Sequence, residues 1–246
     1  MAAGVEHGVT LTVFNDRTSD QRLSSPTTIV CPSKNSSTES MATVSGPARG
    51  VVDGTEILRI VVPSFDTRMM SQSSYLQNKR NVMQVLLRTN VQLQQLDTMI
   101  ITGLSPTATL TSTLALSGTA AVQFGGGASY SSDGTLTFTL MSATLSANEQ
   151  HTISFELQNV AYAVNSPSIH IRAHGKTLFA IAPMTKAPGD AQPLFVAGFT
   201  TRTIQQSTIA TGGLNTISIT FQVNRDFSYE AEAPILTIRF VRPERE

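Results

Sequence analysis

The stretch Asn81-Val82-Met83-Gln84-Val85-Leu86-Leu87-Arg88-Thr89-Asn90-Val91-Gln92-Leu93-Gln94-Gln95-Leu96 decides the fold of this chain. Its residues are good helix formers, and Val82, Val85, Leu86 and Leu93 roughly share one helical face. Taken alone, the stretch leaves helix and strand equally open. A second part of the chain removes the ambiguity. Laying Val61–Asn90 over Phe195–Asn224 without a gap, a shift of 134, pairs Val62 with Val196, Phe65 with Phe199, Thr67 with Thr201 and Arg68 with Arg202. It also pairs Gln72 with Gln206, Ser73 with Ser207, Asn81 with Asn215 and Asn90 with Asn224. These eight identities in thirty positions exceed the roughly two that ordinary residue frequencies give by chance. Met83, Val85 and Leu87 fall on Ile217, Ile219 and Phe221, whose alternation with Ser218, Thr220 and Gln222 is that of a strand. Asn81–Asn90 is therefore expected to be a strand.

The similarity extends upstream. His7, Val9, Leu11, Val13 and Asn15 fall on His151, Ile153, Phe155, Leu157 and Asn159 at a shift of 144, and Ser25-Pro26 falls on Ser166-Pro167 at 141. The drift in shift implies loops of different length in the two copies. The copies run from about Val5 to Leu104 and from about Glu149 to Phe240, with Ser105–Asn148 between them. Either two similar sandwiches are joined by an additional hairpin region, or the chain is a window cut from a tandem array. A period of 134 to 144 residues is sandwich-sized, far above the roughly 20 to 50 residues of a solenoid repeat.

Alternation of apolar and polar residues marks strands with one buried and one wet face. It recurs at Val9, Leu11 and Val13, at Leu136, Phe138 and Leu140, at Ile169 and Ile171, and at Leu236, Ile238 and Phe240. Turn signals separate these runs at Ser25-Pro26, Ser132-Asp133-Gly134, Ser166-Pro167, Ala187-Pro188-Gly189-Asp190 and Gly212-Gly213. The expected fold is all-β, with two Ig-like antiparallel β-sandwich units related by the internal repeat. The expected division is residues 1–104 for the first sandwich, 105–148 for an intervening hairpin region and 149–246 for the second sandwich.

Composition excludes several classes of function. Seventeen Lys and Arg cancel seventeen Asp and Glu, and no basic run is present that could neutralise a row of phosphates, so nucleic acid is not an expected partner. The absence of Trp and the four Tyr leave few platforms for stacking bases or sugars. The single cysteine, Cys31, has no intramolecular disulfide partner and reads as a small buried hydrophobe. Met1–Thr10 lacks the apolar core of a signal peptide, and no run approaches the ~18 apolar residues of a membrane span. Membrane insertion is not expected, and an export signal, if used, lies outside this chain.

No residue set for catalysis emerges. Gly-x-Ser-x-Gly is absent. Gly125-Gly126-Gly127 lacks the Lys-Ser/Thr pair of a phosphate-binding loop and reads as a hairpin tip. His170 and His174 are the one close histidine pair, and on a strand they read as a solvated face rather than a metal site. Asp16, Asp53, Asp66, Asp97, Asp133, Asp190 and Asp226 sit in turn contexts, and no Asp-x-Asp-x-Asp-Gly calcium loop is present. The expectation is no enzyme, no cofactor, no metal and no catalytic residue. Asn35-Ser36-Ser37 is the one glycosylation sequon, which makes Asn35 a candidate modification site in an exported protein.

The strings Ser166–Ile171, Ala187–Val196, Gln206–Thr208 and Asn215–Thr220, with Ile101–Leu104 followed by Gly134–Phe138, resemble the tandem repeats of very large surface proteins of unicellular algae and related protists. The resemblance covers most of the chain, and Ser45–Val52 departs from the Pro-Gly-Asp turn of the second copy. It implies an extracellular or cell-surface structural protein of a filament, flagellar hair, cell wall or surface coat that self-associates or binds other structural proteins. It carries no catalytic residues to transfer. The alternative is an adhesion module binding glycans through loops at the ends of the sandwich.

Overall fold

The computed structural model describes residues 10–12, 28–30, 38–41, 46–52, 54–55, 59–142, 144–190, 192–226 and 238. Among these residues fourteen strands follow one another: β1 (Thr28–Val30), β2 (Thr38–Ser40), β3 (Phe65–Gln72), β4 (Arg80–Thr89), β5 (Thr98–Thr102), β6 (Thr113–Ala115), β7 (Gly127–Tyr130), β8 (Leu136–Thr139), β9 (His151–Gln158), β10 (His170–His174), β11 (Phe179–Pro183), β12 (Thr185–Lys186), β13 (Phe199–Gln206) and β14 (Ile217–Val223). One 3₁₀ turn, Val122–Phe124, precedes β7. The fold is all-β, and the ambiguous stretch is the strand β4, as the comparison with Ile217–Val223 predicts.

Two sheets hold the core. One has the order β12-β3-β4-β9 and the other β11-β10-β5-β8-β7-β6. Alternation decides which side chains enter between them, because successive residues of a strand point to opposite faces. Met83, Val85 and Leu87 on β4 and Ile153, Phe155 and Leu157 on β9 join Met99 and Ile101 on β5, Leu136 and Phe138 on β8, and Ile171 and Ala173 on β10 in one buried cluster. On the other face of β4, Val82 and Gln84 are exposed. Apolar burial at about 25 cal/mol per Å² drives this collapse. Phe124 meets Phe138 edge-on at 4.8 Å between ring centroids. That contact is why a 3₁₀ turn, rather than the expected plain hairpin tip, precedes Gly125–Gly127: the turn brings Phe124 inward, and Gly125 closes it with φ 69°.

The ladders cross the expected division at 104 and 148. β4 pairs antiparallel with β9 over Arg80↔Gln158 to Leu87↔His151, and β5 pairs with both β8 and β10. Strands from 1–104, 105–148 and 149–246 thus share one core, so the described residues hold one complete sandwich rather than two. Gly134, in the turn between β7 and β8, has φ +82°, and a Cβ there lies 2.6 Å from the Leu104 carbonyl carbon, so only glycine fits. The chain's beginning contributes a separate two-stranded ladder, β1 with β2, in the register Thr28↔Ser40 to Val30↔Thr38.

Candidate functional site

The distinctive surface is the hairpin β13–β14, and its geometry begins with asparagine. In the hairpin β3–β4, Asn81 Oδ1 accepts from the Ser73 and Ser74 amides at 3.1 Å each, and its Nδ2 donates to Gln72 Oε1 at 3.2 Å. In the hairpin β13–β14, Asn215 Oδ1 accepts from the Ser207 and Thr208 amides at 3.1 and 3.2 Å, and its Nδ2 donates to Gln206 Oε1 at 3.1 Å. The serine hydroxyls match too: Ser73 Oγ accepts from the Val82 amide and Ser207 Oγ from the Thr216 amide, both at 2.8 Å. At the base, Asn90 Oδ1 accepts from the Ser64 amide and its Nδ2 donates to the Val62 carbonyl. Asn224 makes the same bonds with Gly198 and Val196.

The registers coincide as well. β3–β4 runs from Phe65↔Thr89 to Gln72↔Met83 with a shift between Phe65 and Thr67. β13–β14 runs from Phe199↔Val223 to Gln206↔Ile217 with a shift between Phe199 and Thr201. Adding 134 to every residue of the first ladder yields the second, bulge included. Six of the eight shared identities, Gln72, Ser73, Asn81, Asn90, Phe65 and Thr67, lie at the turn, the base and the bulge.

What differs is the covering. Met70, Met83, Val85 and Leu87 are each 0% exposed, whereas their counterparts Ile204, Ile217, Ile219 and Phe221 are 60%, 42%, 39% and 44% exposed. Among the described residues, β4 has β9 on its outer edge and β3 has β12, while β13 and β14 pair only with each other. Phe199 and Phe221 pack edge-to-face at 5.9 Å, and a shallow apolar hollow over them is lined also by Ile204, Ile219 and Ile238.

The base of this hairpin is fixed on the sandwich. Asn224 Nδ2 also reaches the Val164 carbonyl at 3.3 Å, and Gln77 Nε2 donates to the Ala197 carbonyl at 3.0 Å. The Arg225 guanidinium lies 4.2 Å from the Tyr75 ring centroid, a cation–π contact. Tyr75 and Gln77 belong to the turn joining β3 to β4, so the second hairpin starts where the first one ends.

Among the described residues, the other side chains singled out in the sequence lie apart from one another. His170 and His174 lie at the two ends of β10, and a strand rise near 3.3 Å separates them by about 13 Å along the chain, too far to share an ion. Among the described residues no three His, Cys, Asp or Glu side chains group closely enough to hold a metal. A cleft of about 340 Å³ beside His170 is lined also by Ser166, Pro183, Met184, Lys186 and Gln192, with no carboxylate. The Ser166 hydroxyl there is committed to the Pro193 carbonyl.

Three of the aspartates organise backbone. Buried Asp97 accepts from the Gln94, Lys176 and Thr177 amides. Asp190 accepts from the Gln72 amide at 2.8 Å, which ties the Pro-Gly-Asp turn to β3. Hydrogen bonds from Ser131 and Thr135 hold the Asp133 carboxyl below the usual carboxylate range. Burial pushes the Tyr130 phenol up, and that hydroxyl donates to the Leu104 carbonyl at 2.8 Å.

Asn35, Cys31, Val9, Val13, Asp16, Asp53, Ser25-Pro26, Leu236 and Phe240 lie outside the described residues. No helix among the described residues is long and apolar enough to cross a membrane. No protein-family model matches this chain, and no curated protein matches it.

Proposed function

We propose that this chain is a non-catalytic structural protein whose sandwich units follow one another head to tail in an extracellular filament, flagellar hair, cell wall or surface coat. The observation that carries the reading is the second hairpin: it repeats the bonding of the first, starts at the first one's tip, and leaves bare the apolar face that the first one buries. A sheet edge with free backbone groups beside exposed isoleucine and phenylalanine is a template for association. A repeat that begins at the tip of its predecessor adds length along one axis, as a head-to-tail contact does.

Sedimentation velocity and electron microscopy over a rising concentration series test this reading. Linear oligomers or filaments are expected. A monodisperse monomer at every concentration, with no elongated species on the grid, overturns it.

A further inference from the structure

The sequences of the segment His7–Phe14 and the hairpin β13–β14 match in one register. In the complete sandwich, β9 lies on the outer edge of β4 with Asn81↔Leu157, Met83↔Phe155, Val85↔Ile153 and Leu87↔His151. Moving β4 forward by 134 gives β14, and moving β9 back by 144 gives the segment His7–Phe14, whose apolar positions coincide with those of β9. The same pairing then reads Asn215↔Val13, Ile217↔Leu11, Ile219↔Val9 and Phe221↔His7.

Both partners in this pairing are uncovered where they are described. Leu11 is 82% exposed, although its counterpart Phe155 is 2% exposed; across the pair, Ile217 is 42% exposed and its counterpart Met83 0%. One polar group points the same way. Asn81 Nδ2 donates a second bond, 3.0 Å long, to Asn159 Oδ1, and the position equivalent to Asn159 is Asn15. In the same pairing Asn15 would stand where Asn159 stands, with its acceptor toward Asn215.

The phase of the ladder fits as well. The Ser207 amide donates to the Thr216 carbonyl at 3.0 Å, so by the alternation of antiparallel bonding Ser218, Thr220 and Gln222 face β13, while Ile217, Ile219 and Phe221 aim their backbone groups at the open edge. On the donor side, the Ser154 amide bonds away from β4, to the Ser117 carbonyl at 2.7 Å. Its equivalent is Thr10, so in the same phase Val9 and Leu11 would aim their backbone groups at β14.

We infer that the open edge of β14 receives the segment Val5–Asn15 of a second copy of this chain as an added antiparallel strand, in the register Ile219↔Val9. The inference rests on the self-association reading above and gives it a mechanism, strand addition to a sheet edge. Main-chain bonds supply the attachment, and Val9, Leu11 and Val13 cover the apolar residues of the hairpin.

The test uses the full chain and fluorescent peptides of sequence Val5–Asn15. The unmodified peptide is expected to bind saturably and, in excess, to shorten the oligomers. N-methylation at Val9 and Leu11 removes two donors aimed at β14 and is expected to weaken binding about tenfold or more, whereas N-methylation at Thr10 changes it less than about twofold. Failure of the unmodified peptide to bind, or equal loss with both methylation patterns, overturns the strand-addition register. If the chain forms filaments that excess peptide leaves intact, strand addition falls while the structural reading stands. A chain that stays monomeric overturns both.

Discussion

Asn81 and Asn215 make the same local bonds in opposite surroundings, so replacing each with alanine separates what burial adds from what the bonds themselves give. Asn81 is 0% exposed and holds four partners: the Ser73 and Ser74 amides, Gln72 Oε1 and Asn159 Oδ1. At about 1 kcal/mol net for each bond, with the Ser73 amide keeping the Val82 carbonyl but buried Asn159 Oδ1 left without its donor, Asn81→Ala costs about 3–5 kcal/mol. Asn215 is exposed, so water replaces the lost partner of Thr208 while the Ser207 amide keeps the Thr216 carbonyl, and Asn215→Ala costs about 1 kcal/mol or less in the dilute monomer. Urea denaturation followed by circular dichroism reads the first value from the shift in midpoint at constant slope. Amide exchange at Thr208, whose amide bonds to Asn215 Oδ1, reads the second. Equal losses at the two positions, or a loss at Asn81 below about 1 kcal/mol, refute the account of why the first hairpin is stable.

Three further outcomes follow from the same geometry. Phe155→Ala empties a core position that is 2% exposed and is expected to cost about 3–5 kcal/mol in urea denaturation. Ile219→Asp, on the open hairpin, leaves the midpoint of the dilute monomer within about 0.5 kcal/mol yet suppresses the oligomers seen by sedimentation velocity. For Tyr130, burial raises the phenol above its ordinary value near 10, so the folded protein resists an ionisation that the unfolded chain undergoes. The stabilising effect is whole below pH 10 and is lost as the pH climbs through the raised folded value. Tyr130→Phe removes the bonds to Leu104 and Thr107, costs about 1–2 kcal/mol at neutral pH, and comes closer to wild type as the pH rises past 10 in equilibrium unfolding.

The strands were legible because half-buried antiparallel sheets write their two faces into the sequence. Leu136 and Phe138 between threonines, and Ile153, Phe155 and Leu157 on β9, are cases in which alternation alone suffices. At Arg80–Thr89 alternation competes with good helix formers, and the counterpart Ile217–Val223 decides because its serine and threonine faces suit a strand.

Which strands share a core was not legible. A repeat can be cut at any phase, and the sequence boundaries at 104 and 148 follow similarity rather than pairing. β4 finds its partner in β9, which opens the second copy, and a bond between residues so far apart leaves no local trace. The open hairpin was hidden for the same reason: Ile217, Ile219 and Phe221 read as core, as Met83, Val85 and Leu87 do, and only the structure shows which of the two sets is covered. Asn81, Asn90 and their counterparts were visible as identities, while their role as caps of the turn and the base needed the hydrogen bonds.

If copies of the chain join by strand addition, the outer edge of β14 is filled when they meet. Residue-resolved amide hydrogen exchange, measured on dilute monomer and on concentrated protein, tests that directly. The amides of Ile217, Ile219 and Phe221 are predicted to exchange rapidly in the monomer and to slow at high concentration, while those of Ser218, Thr220 and Gln222, already bonded to β13, change far less. Rapid exchange at Ile217, Ile219 and Phe221 in the concentrated sample contradicts the account.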